Sequence, residues 1–170
     1  YTRDRDGNPI RPYDMATDTF SEFMGVRVDP LEQAVEGDLV TLTSHVVPRG
    51  TVAASAPNGW VLSTKLNDTF RAVLQLLEKG ATVRRVTDGK GYTPGDFIVS
   101  GVPASAATQV AETTGVDFAA VSGSAPANTY EIRKPRIAMY QRYGGGNMDE
   151  GWTRLMFEQF SVPFKTIRDA

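Results

Sequence analysis

The sequence predicts an α/β fold: a mostly parallel sheet flanked by helices. Two observations carry this. Short β-branched or apolar runs alternate with helical patterns three times along the chain. In addition, the runs are bounded by glycine and proline turns, as strands joined by covering helices are.

The elements follow in order. Tyr1 is not an initiator methionine, and residues 1–18 are polar and turn-rich, as in Asp6-Gly7-Asn8-Pro9. The chain is therefore expected to be either processed or a piece of a longer one. Thr19 to Val28, with Phe20, Phe23, Met24 and Val26, reads as a helical turn running into a strand. Leu39 to Val47 reads as the first firm strand, stopped by Pro48-Arg49-Gly50, and Gly59 to Ser63 as the second. Asn67 or Asp68 then caps a helix. Its apolar face is Phe70, Val73, Leu74 and Leu77, at i, i+3, i+4 and i+7, and Lys79 and Gly80 stop it.

Ala81 to Thr87 and Asp96 to Ser100 are strands around the turn Asp88-Gly89-Lys90-Gly91. An Ala-rich helix runs from Ser105 to Gly115, its thin core face being Ala107, Val110 and Ala111, and Phe118 to Val121 is a short strand. Ser122 to Thr129 is small and polar and reads as a linker. In the last block Arg136 to Gln141 and Phe164 to Ile167 are strands. The helix between them, Asp149 to Phe160, is expected to bury Trp152, Leu155, Met156 and Phe160. The organisation expected is a lead-in at 1–36, an α/β region at 37–121, a linker at 122–133 and a further α/β segment at 134–170.

Composition narrows the function. In 170 residues there are 18 Lys and Arg against 20 Asp and Glu, a formal net charge of −2. That argues against electrostatic capture of nucleic acid or of an anionic membrane. No apolar run approaches the ~20 residues of a membrane helix. Without cysteine there is no thiolate ligand, disulfide or cysteine nucleophile, and with His45 as the only histidine the usual histidine-rich catalytic zinc sites cannot form. No catalytic residue, metal site or cofactor site is assigned within these residues.

The one candidate site is the glycine-rich loop Gly144, Gly145, Gly146 and Asn147 before the last helix, as the lining of a ligand pocket at the carboxyl ends of parallel strands. The loop lacks the spacing of a nucleotide fingerprint, and Asp149 and Glu150 already occupy the positive end of the helix dipole. A structural turn, with Asn147 and Glu150 as a capping box, is the reading preferred over a phosphate site. His45 has no sequence-local relay partner. Asp149, Glu150 and Glu158 do not share a face, and Arg133-Lys134-Pro135-Arg136 reads as a solvated approach to a strand.

Several segments carry a family resemblance. Arg11-Pro12-Tyr13-Asp14 with Met24-Gly25-Val26, then Gly59 to Ser63, Asn67 to Val73 and Pro94 to Val99, resemble in order the region downstream of the peptidase domain in large bacterial zinc carboxypeptidases. Arg136 to Tyr140, followed by Met148-Asp149-Glu150-Gly151-Trp152-Thr153-Arg154, is similar to the opening of the class I glutamine amidotransferase-like domain attached to them. The resemblance implies a Rossmann-like, glutamine amidotransferase-like sheet, cut short at residue 170. It implies a secreted or periplasmic parent whose zinc resides in a peptidase domain outside these residues. The H-x-x-E zinc motif cannot be placed here, and neither can an amidotransferase cysteine.

The function expected from it is a non-catalytic accessory region that packs on the peptidase domain or regulates access to it. The alternative is a small-ligand or partner-binding α/β module without enzymatic activity. An apolar patch around Ile137, Met139 and Ile167 is expected to be bare or covered by a second copy of the chain.

Overall fold

The structure, a computed structural model, describes residues 3–10, 25, 27–44, 46–88, 91–124, 128–144 and 148–169. The chain divides into compact units at 1–43 and 44–170. In the first, Arg3 bridges Pro9 in antiparallel fashion around a tight turn. The Asp4 carboxylate accepts from the backbone N–H groups of Asn8 (2.8 Å) and Asp6 (2.9 Å). Those bonds, the Asn8 N–H foremost, hold the carboxyl below its ordinary value. Residues 27–43 form no helix or strand, and Leu31, Leu39, Val40 and Leu42 are exposed. The strand expected from Leu39 is therefore not formed: the run has β-prone residues but no neighbouring strand, and a strand without a partner leaves its backbone groups to water. Thr19 to Met24 and Val26, in the expected helical turn, lie outside the described residues.

The second unit is built on β1 (Trp60–Leu62), α1 (Asp68–Glu78), β2 (Thr82–Asp88), β3 (Phe97–Ser100), α2 (Ala104–Thr114), β4 (Ala119–Ala120) and β5 (Asn128–Ile132). Its sheet has the order β4-β1-β3-β2-β5, with every neighbouring pair antiparallel. Because β1 and β2 both run against β3, they run the same way but are not neighbours. The first six elements thus have the split β-α-β, ferredoxin-like topology, with β5 added beside β2.

This overturns the expected mostly parallel, Rossmann-like and glutamine amidotransferase-like sheet. The alternation of strands and helices was read correctly, but β2 and β3 are joined directly, without a helix. The hairpin lets β3 fold back between β1 and β2, and a split crossover leaves the same linear pattern as a parallel sheet. Asn128–Ile132, wholly within the 122–133 interval read as a linker, pairs with β2 from Val83↔Ile132 to Asp88↔Asn128.

Both helices cover one face of the sheet. Leu62, Val83, Phe97 and Val99 meet Ala72, Val73 and Leu76 of α1 and Ala107, Val110 and Ala111 of α2 in one buried cluster. Helix α1 is rotated from the expected face: Thr69, Ala72, Val73 and Leu76 point inward and Phe70 is exposed. The Thr69 hydroxyl donates to the Ser63 carbonyl at 2.6 Å, which fixes that rotation. The chain leaves α1 through a Schellman closure, Ala81 N–H to Leu76 O (2.9 Å) and Gly80 N–H to Leu77 O (3.2 Å). On the opposite face Val86, Ile98 and Val121 form a smaller cluster with Val61 and Tyr92.

The β4 edge is not left open. Val52 bridges Phe118 in parallel, with Phe118 N–H to Thr51 O at 2.8 Å and Ala53 N–H to Phe118 O at 2.9 Å. This strap requires glycine at position 50, where a Cβ would stand 2.1 Å from the Val116 carbonyl oxygen.

The remaining elements, β6 (Ile137–Tyr140), α3 (Met148–Gln159) and β7 (Phe164–Ile167), make a small β-α-β unit. Strands β6 and β7 pair in parallel from Ile137↔Phe164 to Tyr140↔Ile167. Ile137 is partly buried, Met139 is buried and Ile167 is exposed. The patch expected around them is therefore split between the two faces of the pair. Helix α3 closes with a second Schellman pattern, Val162 N–H to Phe157 O (2.8 Å) and Ser161 N–H to Glu158 O (3.3 Å), and Ser161 takes φ +57°.

Candidate functional site

The β6-α3-β7 unit holds the candidate site, because its helix has apolar residues on two faces. The inner face is settled by contacts with β7. Phe157 meets Phe164 with ring centroids 5.7 Å apart, and the Arg154 guanidinium lies 5.3 Å over the Phe164 ring. Arg154 also donates to the Thr166 hydroxyl at 3.2 Å and to the Glu150 carboxylate one turn before it. These contacts turn Met148, Trp152, Leu155 and Met156 outward, at i, i+4, i+7 and i+8. Trp152 is 69% exposed, and none of the described α3 residues is fully buried.

The expectation that Trp152, Leu155 and Met156 face the sheet is thus overturned. Two apolar stripes competed for the sheet, and the one carrying Phe157 won because Arg154 could lie on Phe164 and pair with Glu150. The signal in the sequence was Arg154 itself, a cation at helical spacing with both Glu150 and Phe157. Glu150 is engaged by Arg154, and Asn147, its expected capping partner, lies outside the described residues.

At the carboxyl ends of the two strands a hollow of about 180 Å³ is lined by Gln141, Arg142, Tyr143 and Arg168. The parallel pairing continues into it through Gln141 N–H to Ile167 O at 2.8 Å. Arg168 is oriented by donating to the Gln141 side-chain oxygen at 3.0 Å. Beside it the Tyr140 hydroxyl donates to the Asp169 carboxylate, which holds the phenol proton and raises the tyrosine above its ordinary value of 10.0. Of the loop singled out in the sequence, Gly144 is exposed with open space around it. Gly145, Gly146 and Asn147 lie outside the described residues. The groups on offer are donors for recognition: two guanidiniums, an amide and a phenol.

The chain matches no protein-family model, no curated protein and no solved structure.

Other sequence candidates fall elsewhere. His45 lies outside the described residues. Lys134 pairs with Glu78 of α1 at 2.8 Å, and Arg133 reaches Glu131 at 3.9 Å. Arg136 lines a separate hollow of about 360 Å³ at the other end of the strands, with Pro135, Pro163 and Phe164. Among the described residues, no three His, Asp or Glu side chains are grouped to hold a metal ion, and no helix is long and apolar enough to cross a membrane.

Proposed function

We propose that these residues are a non-catalytic accessory region of a secreted or periplasmic zinc metallocarboxypeptidase-like protein, and that the outer stripe of α3 packs on its peptidase domain. The observation that carries this is the row Met148, Trp152, Leu155 and Met156, left in water on a helix whose other face is already used. Large side chains aligned on one exposed face are the usual mark of a docking surface. The resemblance of several segments, in order, to the carboxypeptidase family supports the peptidase domain as the occupant. Zinc and the catalytic groups would belong to that domain, and the stripe would shape access to it.

The test is to place Trp152→Glu in the full gene product and follow carboxypeptidase turnover and melting temperature. The expected result is a lower melting temperature of the peptidase domain, with altered turnover, and no change in the melting of the 170-residue chain alone. A gene product without an H-x-x-E zinc motif, or a peptidase domain indifferent to Trp152→Glu, contradicts the proposal.

A second reading, a ligand-binding module, is favoured by the hollow between Arg142 and Arg168. Isothermal titration with inorganic phosphate, comparing Arg168→Gln with the wild-type chain, separates it from the first.

A further inference from the structure

Helices α1 and α2 pack side by side on the sheet, and their solvent side is grooved. The groove has a volume of about 360 Å³ and is lined mainly by Arg71, Gln75, Glu78 and Lys79 of α1 and its C-cap, and by Gln109 and Thr113 of α2. Polar side chains of both helices line it beside the buried Val110.

Its charges are unevenly satisfied. Glu78 is compensated, since its carboxylate accepts from the Lys134 ammonium at 2.8 Å. Lys79 spans the groove to donate to the Gln109 side-chain oxygen at 2.8 Å, and no carboxylate among the described residues pairs with it. Among the described residues the one carboxylate within 4 Å of Arg71 is that of Asp68, at 3.8 Å, beyond hydrogen-bond distance and not part of the groove. The Arg71 Nε is buried and has no hydrogen-bond partner among the described residues. A buried donor left unmade is costly and uncommon in a folded protein. A guanidinium offers Nε and one Nη as a two-pronged fork that matches a carboxylate. The Arg71 side chain is 36% exposed and lines the groove, so its Nη groups can reach an anion laid there.

Spacing selects the kind of ligand. Arg71 and Lys79 are eight positions apart on one helix, which places them about 12 Å apart along its axis. A small dicarboxylic acid is shorter than that separation. Acidic side chains four residues apart on an extended peptide can span it, since they share one face and the chain rises about 3.3 Å per residue. We infer that the α1–α2 groove binds an acidic, extended peptide segment, with one carboxylate on Arg71 and a second on Lys79. This is independent of the α3 stripe, whose residues do not line the groove.

The experiment is fluorescence anisotropy of a fluorescein-labelled oligoglutamate peptide titrated with the 170-residue chain. An oligolysine peptide and succinate serve as comparators, and amide chemical shifts locate the site. The expected result is saturable oligoglutamate binding that moves the amides of α1 and α2 and weakens as salt is added. Arg71→Gln and Lys79→Gln should each weaken it about tenfold, the loss of one charge-assisted contact. Lys79 is exposed, so Lys79→Gln carries the test even if Arg71→Gln fails to fold. The inference is overturned if oligoglutamate does not bind, if succinate binds as tightly, or if the folded variants bind the peptide unchanged.

Discussion

Thr51 and Asp117 meet across 66 positions of sequence, the threonine hydroxyl donating to the carboxylate at 2.6 Å and its backbone N–H to the same oxygen at 2.8 Å. This clip fastens the 50–53 strap along the β4 edge. It also holds the Asp117 carboxyl below its ordinary 3.8, the hydroxyl bond first and the backbone bond second.

The clip gives a pH-dependent stability. A carboxyl depressed in the folded state contributes above its unfolded pKa, and the contribution is lost as pH falls through the lower folded value. Thr51→Val removes the hydroxyl and keeps the N–H bond. It should cost about 0.5–1 kcal/mol at neutral pH, the lower part of the range for a hydrogen bond because Asp117 is exposed to water. Thermal melts of wild type and variant should differ at neutral pH and converge as pH falls below 3.8 and through the depressed folded value. A difference that is the same at both ends assigns the effect to shape alone.

The two tryptophans should behave oppositely. Trp60 is buried against Phe118, ring centroids 6.4 Å apart, and its indole N–H donates to the Ala53 carbonyl at 3.3 Å. Trp60→Ala should cost about 3–5 kcal/mol. Trp152→Ala should stay within about 0.5 kcal/mol in the 170-residue chain, as exposed substitutions do. Urea denaturation of the two variants checks both, and a large loss at Trp152 would place its indole in a core.

Ser161 is strained where a glycine belongs. It sits at φ +57° at the closing position of α3, while the matching position after α1 is Gly80 at φ +83°. Ser161→Gly should therefore stabilise the chain by about 0.5–1 kcal/mol, read as a raised urea midpoint at unchanged m-value. A lowered midpoint would mean that the serine side chain makes a contact worth more than the strain.

The parts of the fold that the sequence discloses are those set by local chemistry. Gly80 and Gly115 end α1 and α2 where their left-handed conformations require it. Ala107, Val110 and Ala111 form the inner face of α2 as their spacing implies. Pairing partners are different, because nothing in Trp60–Leu62 distinguishes a strand that runs against β3 from one that lies beside β2. Leu39 to Thr43 has every residue a strand needs and lacks only a neighbour, which no local pattern supplies. The candidate site was half legible. The last helix and both of its strands were visible, but which apolar stripe turns inward depends on Arg154 reaching both Glu150 and Phe164.

The proposed docking role of α3 is tested most directly by acrylamide quenching of Trp152 in a Trp60→Phe background, in the 170-residue chain and in the full gene product, which on this proposal carries a peptidase domain. The account predicts strong quenching in the short chain and clear protection, with a blue-shifted emission, in the full product. Equal quenching in both would contradict it, since the exposed stripe would then have no peptidase domain packed upon it.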